Sequence, residues 1–216
     1  MSDHDDFAVE PIRGLPERPP VGEEILWQGA PATYALARDA YKLHWIAFYF
    51  VIVVVWRSLV ALGEGGAMKA LAIAIPYSIL GLAALGLVLL LAWAQARTAV
   101  YTLTTSRVVM RIGAALPVTF NFPFAQVAAA NLDQRRDGTG TIALEMTPAA
   151  RRIGYLTLWP HLRPGRMRHP QPALRCVPEA AAVARLLAEA AETRMARPVI
   201  SRREDGPAAS AEVAAG

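Results

Sequence analysis

The sequence predicts an α+β membrane protein: a two-helix transmembrane hairpin, then a small antiparallel β-barrel or sandwich capped by a C-terminal amphipathic helix. Three observations predict it. Apolar residues concentrate between Leu43 and Ala96. After Arg97 the apolar period drops from that of a helix to that of a strand, with polar turns every few residues. Beyond Pro178 the helical period returns.

Length and composition set the limits. At 216 residues the chain has room for one domain with membrane segments but not for two large cores. Its 54% hydrophobic content and mean hydropathy of +0.29 exceed the usual range of a soluble domain. Charge is unevenly placed: residues 97–216 hold sixteen basic and nine acidic residues, whereas residues 1–42 hold four basic and eight acidic. A basic module next to a membrane segment suits anionic headgroups or an acidic protein face. Nucleic acid is not expected, because no nucleic-acid motif with interleaved aromatics accompanies the basic residues.

The elements follow in order. Residues 1–42 read as a cytoplasmic segment, its Pro-rich lead EPIRGLPERPPVGEE extended and weakly ordered, with one short strand in ILWQGAP. No cleaved signal peptide is expected, since a basic n-region followed by an apolar h-region is missing. Trp27 is a large aromatic in a Pro/Gly-rich context and needs a surface to pack on. The first span, residues 43–62, is roughly 30 Å of helix, the thickness of a hydrocarbon core. Its aromatics Trp45, Phe48, Tyr49 and Phe50 crowd one end as an interfacial belt does. Arg57 lies about 7.5 Å from the other end, within snorkelling reach of the interface. GEGGAMK connects to a second span, residues 70–96, roughly 39 Å long and therefore one tilted crossing with a kink or start near Pro76. Ala70, Ala74, Ser78 and Gly81 make a small-residue stripe, for packing on the first span or for docking a foreign helix. Arg38, Lys42 and Arg97 flank the spans on one side and Lys69 on the other, so a bacterial inner-membrane location with both termini cytoplasmic is expected.

Residues 97–197 form the cytoplasmic domain. Its expected strands are ARTAVYTL, RVVMRIG, LPVTFNF, QVAAANLD, TIALEM, RIGYLTLW and ALRCV, with a hairpin turn at DGTG. Pro178 and Glu179 open a helix whose apolar face is Val183, Leu186, Leu187 and Ala190, and whose last turn carries Arg194 and Arg197. Residues 198–216 are small and polar and are expected to be disordered.

Chemistry-bearing motifs are sparse. Cys176 is the single cysteine, so neither an intramolecular disulfide nor a cysteine-based metal site forms. His4, His44, His161 and His169 have no metal-ligand spacing, and no nucleophile elbow, phosphate loop or dinucleotide fingerprint occurs. Glu145 and Asp133 read as sheet-surface residues. Neither an enzyme nor a cofactor is expected. A pigment carrier would rest on His44 and His161 alone, and interfacial placement is by far the better account of His44.

The sharper candidates are contact residues. Trp159, His161, Arg163, Arg166 and Arg168 combine a large aromatic with clustered Arg, a composition suited to protein or headgroup recognition. The bland alternative is a Trp that closes the core beside a solvated basic loop. Arg135 and Arg136 precede the DGTG turn, either as a solvated tip or as a contact for phosphate or an acidic partner.

Seven strands closed by one amphipathic helix is the plan of the pleckstrin-homology (PH) superfold, and YTLTTSRVVMRIG resembles the hairpin of bacterial PH domains. EPIRGLP, EEILWQGAP, YTLTTSRVVMRIGAALPVTFNFPF, DGTGTIALE and GYLTLWPHLRP followed by LRCVP are together similar to the PuhB family of photosynthetic complex assembly proteins of purple bacteria. The likeness spans Glu10 to about Arg197. It implies a non-enzymatic assembly factor for the reaction centre and, with it, core light-harvesting complex 1. The implied partners are reaction-centre subunits or assembly intermediates, light-harvesting 1 polypeptides and membrane lipid, with a homo-oligomer left open. The alternative is a PH-like module that binds anionic headgroups for a general membrane task.

Overall fold

The computed structural model describes residues 11–114, 116–150, 153–166 and 169–196. Strand β1 (Ile25–Gly29) leads through a short helix α1 (Thr33–Asp39) into the long apolar helix α2 (Leu43–Thr98). Then come β2 (Val100–Thr104), β3 (Arg107–Ile112) and β4 (Val118–Pro123), a 3-10 turn, β5 (Val127–Gln134) and β6 (Gly140–Met146). A single helical turn α3 (Tyr155–Leu158), β7 (Ala173–Val177) and α4 (Ala180–Ala196) complete the order. Two antiparallel sheets result, β1-β2-β3-β4 and β5-β6-β7.

β2 is buried along its whole length because it is flanked on both edges and covered on both faces. Tyr101 and Leu103 face the core, which Met110, Ile142, Leu174 and Leu187 help to fill. Burying each side chain of this size contributes about 1.5–3 kcal/mol. The buried threonine hydroxyls on β2 are both satisfied, that of Thr102 across the sheet and that of Thr104 within its own turn. Gln28 Nε2 donates to Thr102 Oγ1 at 2.9 Å, and Thr104 Oγ1 donates to the Arg107 carbonyl at 3.0 Å while accepting from the Ser106 and Arg107 amides. This is why Thr and Ser stand at the β2–β3 turn. α4 closes the core with Val183, Leu187 and Ala190. Leu186, expected on the same face, is instead partly exposed, and Glu179 lies just outside the helix with φ +51°. Arg197 and the tail at 198–216 lie outside the described residues.

Three expectations are corrected. The strand in ILWQGAP does not belong to a separate N-terminal segment. β1 pairs with β2, Gln28 opposite Thr102, so α2 is an insertion between neighbouring strands of one sheet. The expected strand RIGYLTLW is, over its described part, the turn of helix α3. Its alternation of apolar and polar residues suits a strand, but Gly154 starts the turn and Pro160 lies just past its end. β1 supplies the missing seventh strand. Finally, the Pro-rich lead is fixed rather than loose: Ile12 and Leu15 form a bridge, Leu15 is buried, and Gly14 sits at φ +83° where a Cβ would meet Val100 at 2.6 Å.

α2 departs from helical geometry at Gly65 and Gly66, the latter at φ +72°. The connection is thus two residues long, shorter than the expected GEGGAMK, because glycine tolerates both conformations. The two arms lie against each other: a Cβ at Gly81 would stand 3.0 Å from Cβ of Phe50. This helix is long and apolar enough to cross a membrane, and almost none of its apolar stretch is covered by protein. Pro76 lies inside its second arm.

Candidate functional site

Both ends of α2 enter the domain at one place, and the side chains gathered there make the candidate site. α1 is wedged between the end of α2 and β7: Leu36 packs with Ala96 and Cys176, and the Ala32 amide donates to the Cys176 carbonyl at 2.8 Å. An ionic network extends from α1 to the β5–β6 turn. Arg38 contacts Asp39 at 3.4 Å and Asp137 at 3.1 Å, and Arg135 contacts Asp39 at 2.5 Å. Cys176 Sγ lies 3.6 Å from Asp39 Oδ2, and burial pushes its thiol up from the ordinary value. The Thr139 hydroxyl and amide donate to Asp137 and hold its carboxyl below the usual range, with Arg38 adding to the effect. Arg135 is therefore a strut between α1 and the hairpin and not a solvated tip. Arg136, its neighbour, is exposed. The turn itself is wider than the two-residue loop that Asp-Gly suggests: five residues separate β5 from β6, and of these Gly138 takes a positive φ.

Trp159 and His161 diverge although two residues apart. The Trp159 ring meets Tyr41 edge-to-face at 5.3 Å and stays 43% exposed, so it stands beside the residue that precedes the start of α2 by two. The aromatic contact is worth about 0.5–1.5 kcal/mol beyond area burial. His161 points inward and is fully buried, which removes it from any headgroup or partner contact. Its Nδ1 lies 2.5 Å from the Tyr101 hydroxyl, which in turn accepts the Arg175 amide at 3.3 Å. The Tyr101 hydroxyl and Nδ1 therefore share one hydrogen bond, and Nε2 is buried with no partner among the described residues. Burial, reinforced by Arg175, pulls the imidazole down to about 3, and burial pushes the Tyr101 hydroxyl up.

The remaining predicted residues scatter. Arg163 bonds Gln171 through both side chain and backbone, bracing the loop before β7. Arg166 is exposed and lines an open cleft of ≈ 410 Å³ with Glu145, Ile153 and His169, whereas Arg168 lies outside the described residues. Trp27 is half-buried against the core, its ring over Gly29, where a Cβ would collide with the indole. It is a packing residue. In the helix stripe, Gly81 is buried against Phe50, Ala70 and Ala74 are partly covered and Ser78 is exposed. Packing between the two arms accounts for Gly81, so the stripe does not form an open docking face there.

The structure thus divides the predicted set and keeps Trp159 at the junction. Sequence reasoning missed Tyr41, Asp39 and the pairing of Arg13 with Arg97. Their relationship is tertiary, although Arg13 lies in the quoted motif EPIRGLP. Among the described residues, no group of three or more His, Cys, Asp or Glu is placed to hold a metal ion.

Paired antiparallel sheets with a closing helix, and an inserted helix long and apolar enough to cross a membrane, define a PH-like protein with a candidate membrane span. The bacterial PH domain profile matches residues 45–191, and the chain belongs to the bacterial PH domain family. The match begins inside α2, so β1 lies outside it. A more particular likeness is to a Rhodobacter capsulatus protein described as an uncharacterized 23.7 kDa protein in the puhA 5′ region. The two are 48% identical over 202 residues, covering 93% of this chain and 94% of the relative. No solved structure matches the chain.

Proposed function

We propose that this chain is a non-enzymatic assembly factor for the photosynthetic reaction centre and, with it, core light-harvesting complex 1. It acts at the cytoplasmic face of the bacterial inner membrane. α2 crosses twice, one arm on each side of Gly65–Gly66, and both termini are cytoplasmic. The placement of Arg38, Lys42 and Arg97 at the domain end of the arms supports that orientation.

One observation carries the mechanism: β1, which leads into α2 through α1, and β2, which follows α2 directly, are paired strands of one sheet. The domain is tied to the membrane at two points, and the half-exposed Trp159 is held at a set height beside Tyr41. A reaction-centre subunit or light-harvesting 1 polypeptide emerging in the same membrane meets this face at high effective concentration, so weak contacts suffice. The family likeness and the relative's position 5′ of puhA in a photosynthetic bacterium support the choice of partner.

Deleting the gene and recording membrane absorption spectra with reaction-centre subunit levels tests the proposal. A marked fall in both is expected, and unchanged reaction-centre abundance under photosynthetic growth refutes it. A C-terminal reporter active on the periplasmic side would overturn the orientation.

A further inference from the structure

Arg13 and Arg97 are 84 residues apart in sequence, yet both line one open cleft of ≈ 500 Å³ at the domain end of α2. Trp93, Ala96, Pro31 and Thr33 complete the lining. The position of Arg13 is built into the fold. The Ile12–Leu15 bridge forms its turn, Gly14 lies close on Val100, and Gln28 Nε2 holds the Arg13 carbonyl at 2.7 Å. From there Arg13 Nη2 donates to the Arg97 carbonyl at 2.9 Å, satisfying a backbone group at the helix C-terminus.

That bond uses one of the five donors of an arginine. The Arg97 guanidinium lies 5.7 Å from the Trp93 ring centroid. Among the described residues neither guanidinium meets a carboxylate, in contrast to Arg107, which is clamped by Glu23, and Arg135, which is held by Asp39. Two like charges lining one cleft, with no carboxylate on either among the described residues, repel, and an anion between them removes that cost. The indole of Trp93, half-exposed near the end of an apolar helix, marks the headgroup level. Charge near span ends accounts for Arg97 as an orientation signal. It does not account for Arg13, which a fixed turn carries in from the N-terminal segment.

We propose that the Arg13–Arg97 cleft binds the phosphate of an anionic membrane lipid headgroup. The two planar forks take the phosphate oxygens, and Trp93 packs on the glycerol region below. The site rests on reading α2 as membrane-spanning and is independent of the assembly role.

The test is native mass spectrometry of the full-length chain in detergent, titrated with phosphatidylglycerol or with phosphatidylcholine of the same acyl chains. Phosphatidylglycerol is expected to bind more tightly. Arg97→Gln, which removes no backbone hydrogen bond, should weaken it about five-fold, and the Arg13→Gln/Arg97→Gln pair roughly twenty-five-fold. Phosphatidylcholine, whose phosphate is offset by a choline that the arginines repel, should bind weakly and be weakened less by either variant, and Arg185→Gln, exposed on α4, serves as the neutral control. Equal phosphatidylglycerol affinity in wild type and both variants overturns the site. Displacement of the lipid by millimolar inorganic phosphate at matched ionic strength overturns the lipid assignment in favour of a free-phosphate site. Release of the wild-type chain from membranes by alkaline carbonate overturns the membrane reading and the site with it, an outcome separate from a failure of the cleft alone.

Discussion

His161 should make the fold acid-sensitive in a way that one substitution removes. The imidazole is fully buried, hydrogen-bonded to Tyr101 at Nδ1, and its Nε2 has no partner among the described residues. The groups facing it are the Tyr101 hydroxyl and the Arg175 guanidinium, neither of which welcomes a proton there. Burial first and Arg175 second lower its value from 6.5 to about 3. Between those values the unfolded chain binds a proton that the folded chain refuses. The contribution to stability is therefore complete above the unfolded value and is lost as pH falls toward the folded one. The slope is about 1.4 kcal/mol per pH unit, or roughly 2 kcal/mol between pH 6.5 and 5. Urea unfolding of the full chain in non-ionic detergent, followed by tryptophan fluorescence, measures it. His161→Asn should be less stable than wild type at pH 7.5, with the gap narrowing by about 2 kcal/mol by pH 5. The carboxylates titrate alike in both proteins, so the difference isolates this residue. A gap independent of pH refutes the argument.

Gly81→Leu should separate the arms of α2, because the new side chain needs the space that Phe50 occupies. A loss of about 1–3 kcal/mol, read as a lower unfolding midpoint in detergent, is expected, and an unchanged midpoint would contradict the packing. Asp39→Ala and Arg135→Ala should each loosen α1 from the β5–β6 turn. Their double-mutant cycle should give a coupling of about 1 kcal/mol, since the pair is largely shielded from solvent, and strict additivity would show that the strut is not real.

What was legible in the sequence was local. The β2–β3 hairpin announces itself because Thr104 satisfies its own turn, and the β5–β6 turn because Asp137 accepts from Thr139 two residues on. α4 was readable from the spacing of Val183, Leu187 and Ala190. What failed depended on distant partners. β1 was recognisable as a strand, but nothing within ILWQG says that its mate begins at Val100, on the far side of a 56-residue helix. The alternation in GYLTLW fitted a strand until the tertiary position of Leu158 in the core required a turn. At the site, Trp159 was legible by composition, whereas the opposite fates of Trp159 and His161 follow from which side of one loop meets the core. Arg13 belonged to a quoted motif, and its meaning appeared when Gly14 was seen pressed on Val100.

The insertion of α2 between β1 and β2 also dictates an order of events. β1 leaves the ribosome first and has no edge to join until the whole of α2 and then β2 have been made. If α2 is threaded into the bilayer during synthesis, the first sheet cannot assemble until both arms are in place and β2 emerges on the side where β1 waits. Completion of the sheet would then report successful insertion, and a chain whose arms stalled would keep the edge of β2 bare, open to rejection before it could engage any partner.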